Sequence, residues 1–236
     1  MQDDPLIFLP GFMCDARLFW HPVQELSADR SVTVARLRGT TIEEMAARVL
    51  AEAPPRFALV GHWLGGVVAM DVLRRAPERV SQIALIDISS LPETPQMAGK
   101  REPRIVRART GRLDEVMLEE IPAEALAPGE TRPHVQALLL EMAAALGPDT
   151  FIEQSRALMR RPDFQRTLRS TRTRAMLMCG EYDQICPPRR HEFLAELMPH
   201  ATYRLILGAG HLSPLEQPEK ITQGLRDWLD APLLLA

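Results

Sequence analysis

Residues 57 to 69 read Phe57-Ala58-Leu59-Val60-Gly61-His62-Trp63-Leu64-Gly65-Gly66-Val67-Val68-Ala69, and the reading of this stretch decides the fold. Ala58 to Gly61 form a short unbroken apolar run, the pattern of a strand covered on both faces. From Leu64 to Ala76 the apolar residues recur at helical spacing. Only His62 and Trp63 separate the two segments, so a strand passes into a helix through a tight turn flanked by Gly61, Gly65 and Gly66.

The same alternation extends in both directions. Strands are expected at Leu6 to Leu9, Val32 to Leu37, Gln82 to Ile88, Ala175 to Cys179 and Tyr203 to Leu207. Helices are expected at Ile42 to Ala53, Pro188 to Met198 and Pro218 to Leu229. Short apolar strands alternating with amphipathic helices specify an α/β fold with a mostly parallel sheet flanked by helices. Between Leu91 and Arg174 no strand pattern occurs, and eight prolines break an Arg-rich helical text. Residues 1–90 and 171–236 are therefore read as one core, and 91–170 as a helical cap insertion covering one edge of the sheet. Met117, Met142 and Met159 within it are assigned to packing.

Composition narrows the function. The chain has 236 residues, 46% apolar and 25% charged, which excludes disorder and fibrous repeats. A formal charge of -3 argues against nucleic acid as a partner. The 14 cations and 12 anions between Leu91 and Arg174 are too nearly balanced to indicate an anionic substrate. No run approaches the roughly 20 apolar residues that span a bilayer. The acidic opening Met1-Gln2-Asp3-Asp4-Pro5 is unlike a signal peptide, and Cys14, Cys179 and Cys186 have no metal-binding spacing. A cytoplasmic protein with a small-molecule ligand, no metal, no cofactor and no membrane partner is expected, its oligomeric state open. Only two of the 28 cations are lysines, and Ala, Leu and Pro are abundant, which suggests a GC-rich bacterial gene.

In open parallel sheets, ligands bind beyond the carboxyl ends of the strands. Four loops there carry chemistry: Pro10-Gly11-Phe12-Met13-Cys14-Asp15, then the turn at Trp63, then Gly180-Glu181-Tyr182-Asp183, then Gly208-Ala209-Gly210-His211. In these four loops and their order the chain resembles the α/β-hydrolase superfamily, over essentially its whole length. That resemblance implies a nucleophile elbow at residue 63 with Gly61, Gly65 and Gly66 giving it room, Asp183 as the acid and His211 as the base. It also implies an oxyanion hole from the N–H groups of Phe12 and Leu64. Asp87, after the fourth strand, is the second position at which the family keeps its acid.

The departure is Trp63 itself, where the family has Ser, Asp or Cys. An indole offers one N–H donor and no nucleophile, so the triad lacks its attacking atom and hydrolysis should be impaired. Ser81, Ser89 and Ser90 fall outside the turn. One base change separates the serine codon TCG from the tryptophan codon TGG. His62 is expected to support the turn, Asp15 to hydrogen-bond within the first loop and orient the oxyanion amides, and Cys14 to be inert. Trp20 and Trp228 are assigned to packing, and His21, His134, His191 and His200 to surface or helix-end positions. Three functions follow: an ester or related acyl or C–C hydrolase with its nucleophile replaced, a cofactor-free dioxygenase or lyase using the His/Asp dyad, or a non-catalytic small-molecule receptor.

Overall fold

A computed structural model describes residues 4–198 and 200–231. The strands are β1 (Leu6–Leu9), β2 (Val32–Val34), β3 (Phe57–His62), β4 (Val80–Ile86), β5 (Arg174–Gly180) and β6 (Ala201–Ile206). They form one parallel sheet in the order β2-β1-β3-β4-β5-β6. β1 and β3 are buried at every residue, as their unbroken apolar text requires.

The helices are α1 (Trp20–Leu26), α2 (Ile42–Glu52), α3 (Leu64–Arg75), α4 (Pro95–Gly99), α5 (Arg101–Arg109), α6 (Leu113–Glu120), α7 (Arg132–Met159), α8 (Gln165–Ser170), α9 (Pro188–Leu197), α10 (Ser213–Glu216) and α11 (Pro218–Asp230). α1 packs on α11, while α2, α3, α8 and α9 form a separate row of neighbours, so the strands are covered on both faces. Thr41 caps α2 by accepting from the Glu44 N–H, with Glu43 and Glu44 in the first turn, where carboxylates complement the helix dipole.

β3 and β5 each extend one residue beyond the expected run at both ends and β6 begins at Ala201 and ends at Ile206 rather than spanning Tyr203 to Leu207, while β2 and β4 differ for reasons of packing. β2 ends at Val34 rather than Leu37, because the chain leaves the sheet there and the Leu37 carbonyl accepts from Gln154 Nε2 at 3.2 Å. β4 begins at Val80 and ends at Ile86 rather than Ile88, because Asp87 turns the backbone with φ 50°. Between 91 and 170 the described structure has helices and no strand, with α8 joining the row of α3 and α9, and two of its residues reach the loops at the carboxyl ends of the strands. Ala125 accepts from the His211 N–H at 2.7 Å, and Gln154 Oε1 accepts from the Met13 N–H at 2.8 Å. By length and composition α7 is apolar enough to cross a membrane. It is broken, however, at Gly147 (φ 77°) before Pro148, and Val135, Leu139, Met142, Phe151 and Leu158 are buried within the molecule.

Candidate active site

The turn after β3 is as tight as its spacing demands. A Cβ on Gly65 would lie 1.9 Å from the Leu9 carbonyl oxygen, and one on Gly61 would lie 2.6 Å from the Gly65 carbonyl oxygen. Trp63 stands between them with φ 41° and ψ −108°, a left-handed conformation that costs a bulky residue about 1 to 3 kcal/mol. Its N–H donates to the Ile86 carbonyl at 3.0 Å and its carbonyl accepts from the Val67 N–H at 3.0 Å, which hold the strained residue between β4 and α3.

The indole is 5% exposed and sits among aromatic rings. Its centroid lies 5.3 Å from Phe12, with the rings inclined at 62°, and 4.6 Å from the His211 imidazole at 82°, both edge-to-face contacts. Phe12 packs in turn on Phe151 of α7. No acceptor for the N–H of Phe12 or of Leu64 occurs among the described residues.

His211 is fully buried. Its Nδ1 lies 2.9 Å from Asp183 Oδ2, and its Nε2 has no hydrogen-bond partner among the described residues. The other oxygen of Asp183 accepts from the N–H groups of Ile185 and Cys186, each at 2.8 Å, so the carboxylate is fixed on both sides. Burial alone would push the Asp183 carboxyl up. The facing imidazole and the Cys186 N–H outweigh it and hold it below the usual range. For His211 burial acts downward, and the Asp183 carboxylate more than offsets it, so the imidazole is held above its ordinary value.

Asp87 is equally buried but faces elsewhere. Oδ1 accepts from the Gly180 N–H at 2.9 Å and Oδ2 from the Ser213 hydroxyl at 2.6 Å, so this carboxylate joins β4, β5 and α10. His62 Nε2 donates to the His211 carbonyl at 2.7 Å and lies 3.4 Å from Asp87 Oδ2. It therefore supports the loop that carries His211. Glu216 does the same from the other side, accepting from the N–H groups of Gly210, Leu212 and Ala127.

Other expectations are revised by packing. Asp15 has no hydrogen bond to the N–H of Phe12 or Leu64 among the described residues. It accepts from the Arg17 N–H at 2.9 Å and pairs with its guanidinium at 2.7 Å, capping the 3₁₀ turn Ala16–Phe19. His191 is not at the surface: it is fully buried, and its Nε2 accepts from the Ile88 N–H at 2.9 Å. Trp228 is buried as expected, whereas Trp20 is 48% exposed because it opens α1 on the outer side. Burial and the neighbouring Asp15 push the Cys14 thiol far up, consistent with an inert side chain. Ser213, Glu216 and Gln154 were not singled out in the sequence, since their partners lie across the fold.

Asp183, Cys186 and His211 bring three potential metal-ligand atoms within 4.8 Å of one another. Burial, with Asp183 nearby, pushes the Cys186 thiol up, and Asp183 and His211 are hydrogen-bonded to one another.

Residues 39–218 match the model of the alpha/beta hydrolase fold family. The chain belongs to that family. This α/β hydrolase is 27% identical to a pimeloyl-[acyl-carrier protein] methyl ester esterase of Edwardsiella ictaluri, over 95% of its own length and 93% of that protein. It is 29% identical to the protein of that name from Aromatoleum aromaticum, over 77% of each. Among solved structures, a thermophilic esterase from Thermogutta terrifontis, malate-bound, aligns with a TM-score of 0.88 at 27% identity, covering 97% of this chain and 90% of that one. An enol-lactonase from Burkholderia xenovorans aligns with a TM-score of 0.87 at 19% identity, over 98% and 93%, and shares the fold.

Proposed function

We propose that this α/β hydrolase carries the site of a carboxylic ester hydrolase in which Trp63 stands at the nucleophile position, so that ester hydrolysis by this chain is strongly impaired. Asp183 is the acid, His211 the base, the Phe12 and Leu64 amides the oxyanion hole, and the 91–170 segment a cap over them. One observation carries the reading: His211 is held by Asp183 through Nδ1, its Nε2 has no hydrogen-bond partner among the described residues, and the ring packed edge-to-face on the imidazole, 4.6 Å away, is that of Trp63.

With serine at position 63, Oγ would attack the ester carbonyl carbon as its proton passes to His211 Nε2. The alcohol would leave with that proton, and water would release the acyl group by the same relay. The esterase names of the relatives at 27% and 29% identity support an ester as the substrate class. Trp63→Ser should therefore bring hydrolysis of p-nitrophenyl esters to at least about 10³-fold above the unchanged chain. A folded serine variant silent on short and medium acyl esters would overturn the assignment.

A dioxygenase or lyase run by the His/Asp dyad is disfavoured by the same contact, since the Trp63 ring covers an imidazole that has no exposed surface. The receptor reading gains support from a cavity beside Trp63 that the indole leaves open.

A further inference from the structure

The charges of the 91–170 segment are nearly balanced along the chain and are not balanced in space. A cavity of about 320 Å³ opens beside Trp63, and its wall carries Lys100, Arg101, Arg104, Arg161 and Arg190 against Glu93 and Glu120 alone. The two acids are already taken. Glu93 is paired with Arg101 through Nε at 2.9 Å and also through Nη2, while Glu120 accepts from Arg104 at 2.9 Å.

Three cations on this wall are left without a hydrogen-bonded carboxylate among the described residues. Arg161, with a side chain only 6% exposed, donates from Nε to the Leu91 carbonyl and lies 3.9 Å from Glu93. Arg190 donates to the Ser89 hydroxyl at 3.0 Å, and Lys100 has no acidic partner. Arg101 Nη1 is buried without a hydrogen bond among the described residues, 3.6 Å from Glu120, and its guanidinium lies over the ring of Phe12, 5.6 Å from the centroid, which links the wall to the proposed oxyanion loop. A buried guanidinium without a matched anion is unfavourable in the free protein, and a planar fork of N–H donors is shaped for a carboxylate. Burial together with the like charges of Arg101 and Arg190 holds Arg161 below its ordinary value, against the pull of Glu93, as expected of a cation short of counter-charge.

We propose that this wall is an anion subsite, centred on Arg161 and Arg190, that takes the free carboxylate of a small organic acid whose ester end reaches the Trp63 position. The ester part of that statement rests on the esterase reading; the carboxylate part does not. The cavity coexists with the indole, so the unchanged chain should bind the anion.

The test has two arms. In the first, the unchanged chain is melted with monomethyl glutarate or with neutral dimethyl glutarate at matched ionic strength. The monoanion should raise Tm and the diester should not, and Arg161→Gln and Arg190→Gln should each diminish the response. Equal shifts, no shift, or an undiminished shift in both variants would overturn the subsite. In the second, Trp63→Ser is assayed on the p-nitrophenyl monoester of glutarate and on p-nitrophenyl butyrate. A charge-assisted contact predicts a kcat/KM preference for the anion of about tenfold to a hundredfold. Parity between the two would remove the subsite and leave the esterase reading intact. Silence on both, with the Tm response retained, would remove the esterase reading and leave the subsite.

Discussion

The loops at the ends of the strands and the helical segment laid across them solve different problems. In the loops, Trp63 and Asp183 are fixed by contacts close to them in sequence, Trp63 by a turn between Gly61 and Gly65 and Asp183 by the N–H groups of Ile185 and Cys186, while the loop of His211 is also braced from across the fold by His62 and Ala125. In the segment, charged groups meet partners far along the chain, as Arg104 meets Glu120 and Arg161 meets the Leu91 carbonyl. On the proposed reading, the loops define which bond can be broken. The segment defines what is held beside it, and its balance of charge is a property of the folded wall.

That contrast can be broken most forcefully at His211. In the Trp63→Ser background, His211→Ala should cost about 10⁴-fold in kcat toward a p-nitrophenyl ester; a loss of less than tenfold would remove the imidazole from the chemistry. Gly65→Ala comes next, because its Cβ would meet main chain 1.9 Å away. It should cost about 5 kcal/mol or more, read from urea unfolding, and an unaffected midpoint would show that the turn can open.

On the segment's side, Glu93→Gln strips the buried Arg101 of its principal counter-charge. A loss of about 3 to 4 kcal/mol is expected, and a neutral result would mean that the pair is solvated in solution. pH sharpens the loop side. The base must be neutral and its value is raised, so kcat/KM of the serine variant should fall as pH drops through a midpoint above 6.5, and Asp183→Asn should lower that midpoint. For stability the sign is opposite: a raised histidine adds stability below its unfolded value that is lost as pH rises through its folded one. His211→Gln should then cost more at about pH 5 than at about pH 9 in urea titrations. The smallest effect is Asp15→Ala, about 1 kcal/mol for a lost helix cap, with turnover in the serine background unchanged.

Much of the sheet was legible because buried parallel strands are written as unbroken apolar runs, and β1 and β3 lie where those runs fall. The ends of β2 and β4 were not, since they depend on Gln154 reaching Leu37 and on the positive φ of Asp87. Asp183 is assigned as the acid from its place in the Gly180-Glu181-Tyr182-Asp183 loop, with Asp87 as the second position. The fold sets Asp183 against His211 Nδ1 and Asp87 against Gly180 and Ser213. His191, read as a surface residue, is buried because its ring accepts from Ile88 across 103 residues of sequence.

The sequence by itself determined the alternation of strand and helix, the tight turn at residues 61 to 66, and the absence of any nucleophile at its centre. These are local matters of side-chain size, periodicity and backbone freedom. Tertiary structure alone decided that the Trp63 ring packs edge-to-face on His211, and that a nearly neutral segment presents four cations, joined by Arg190 of α9, to one cavity. Electrostatic energy depends on separation in space and on burial, and neither quantity is written in the order of residues along the chain.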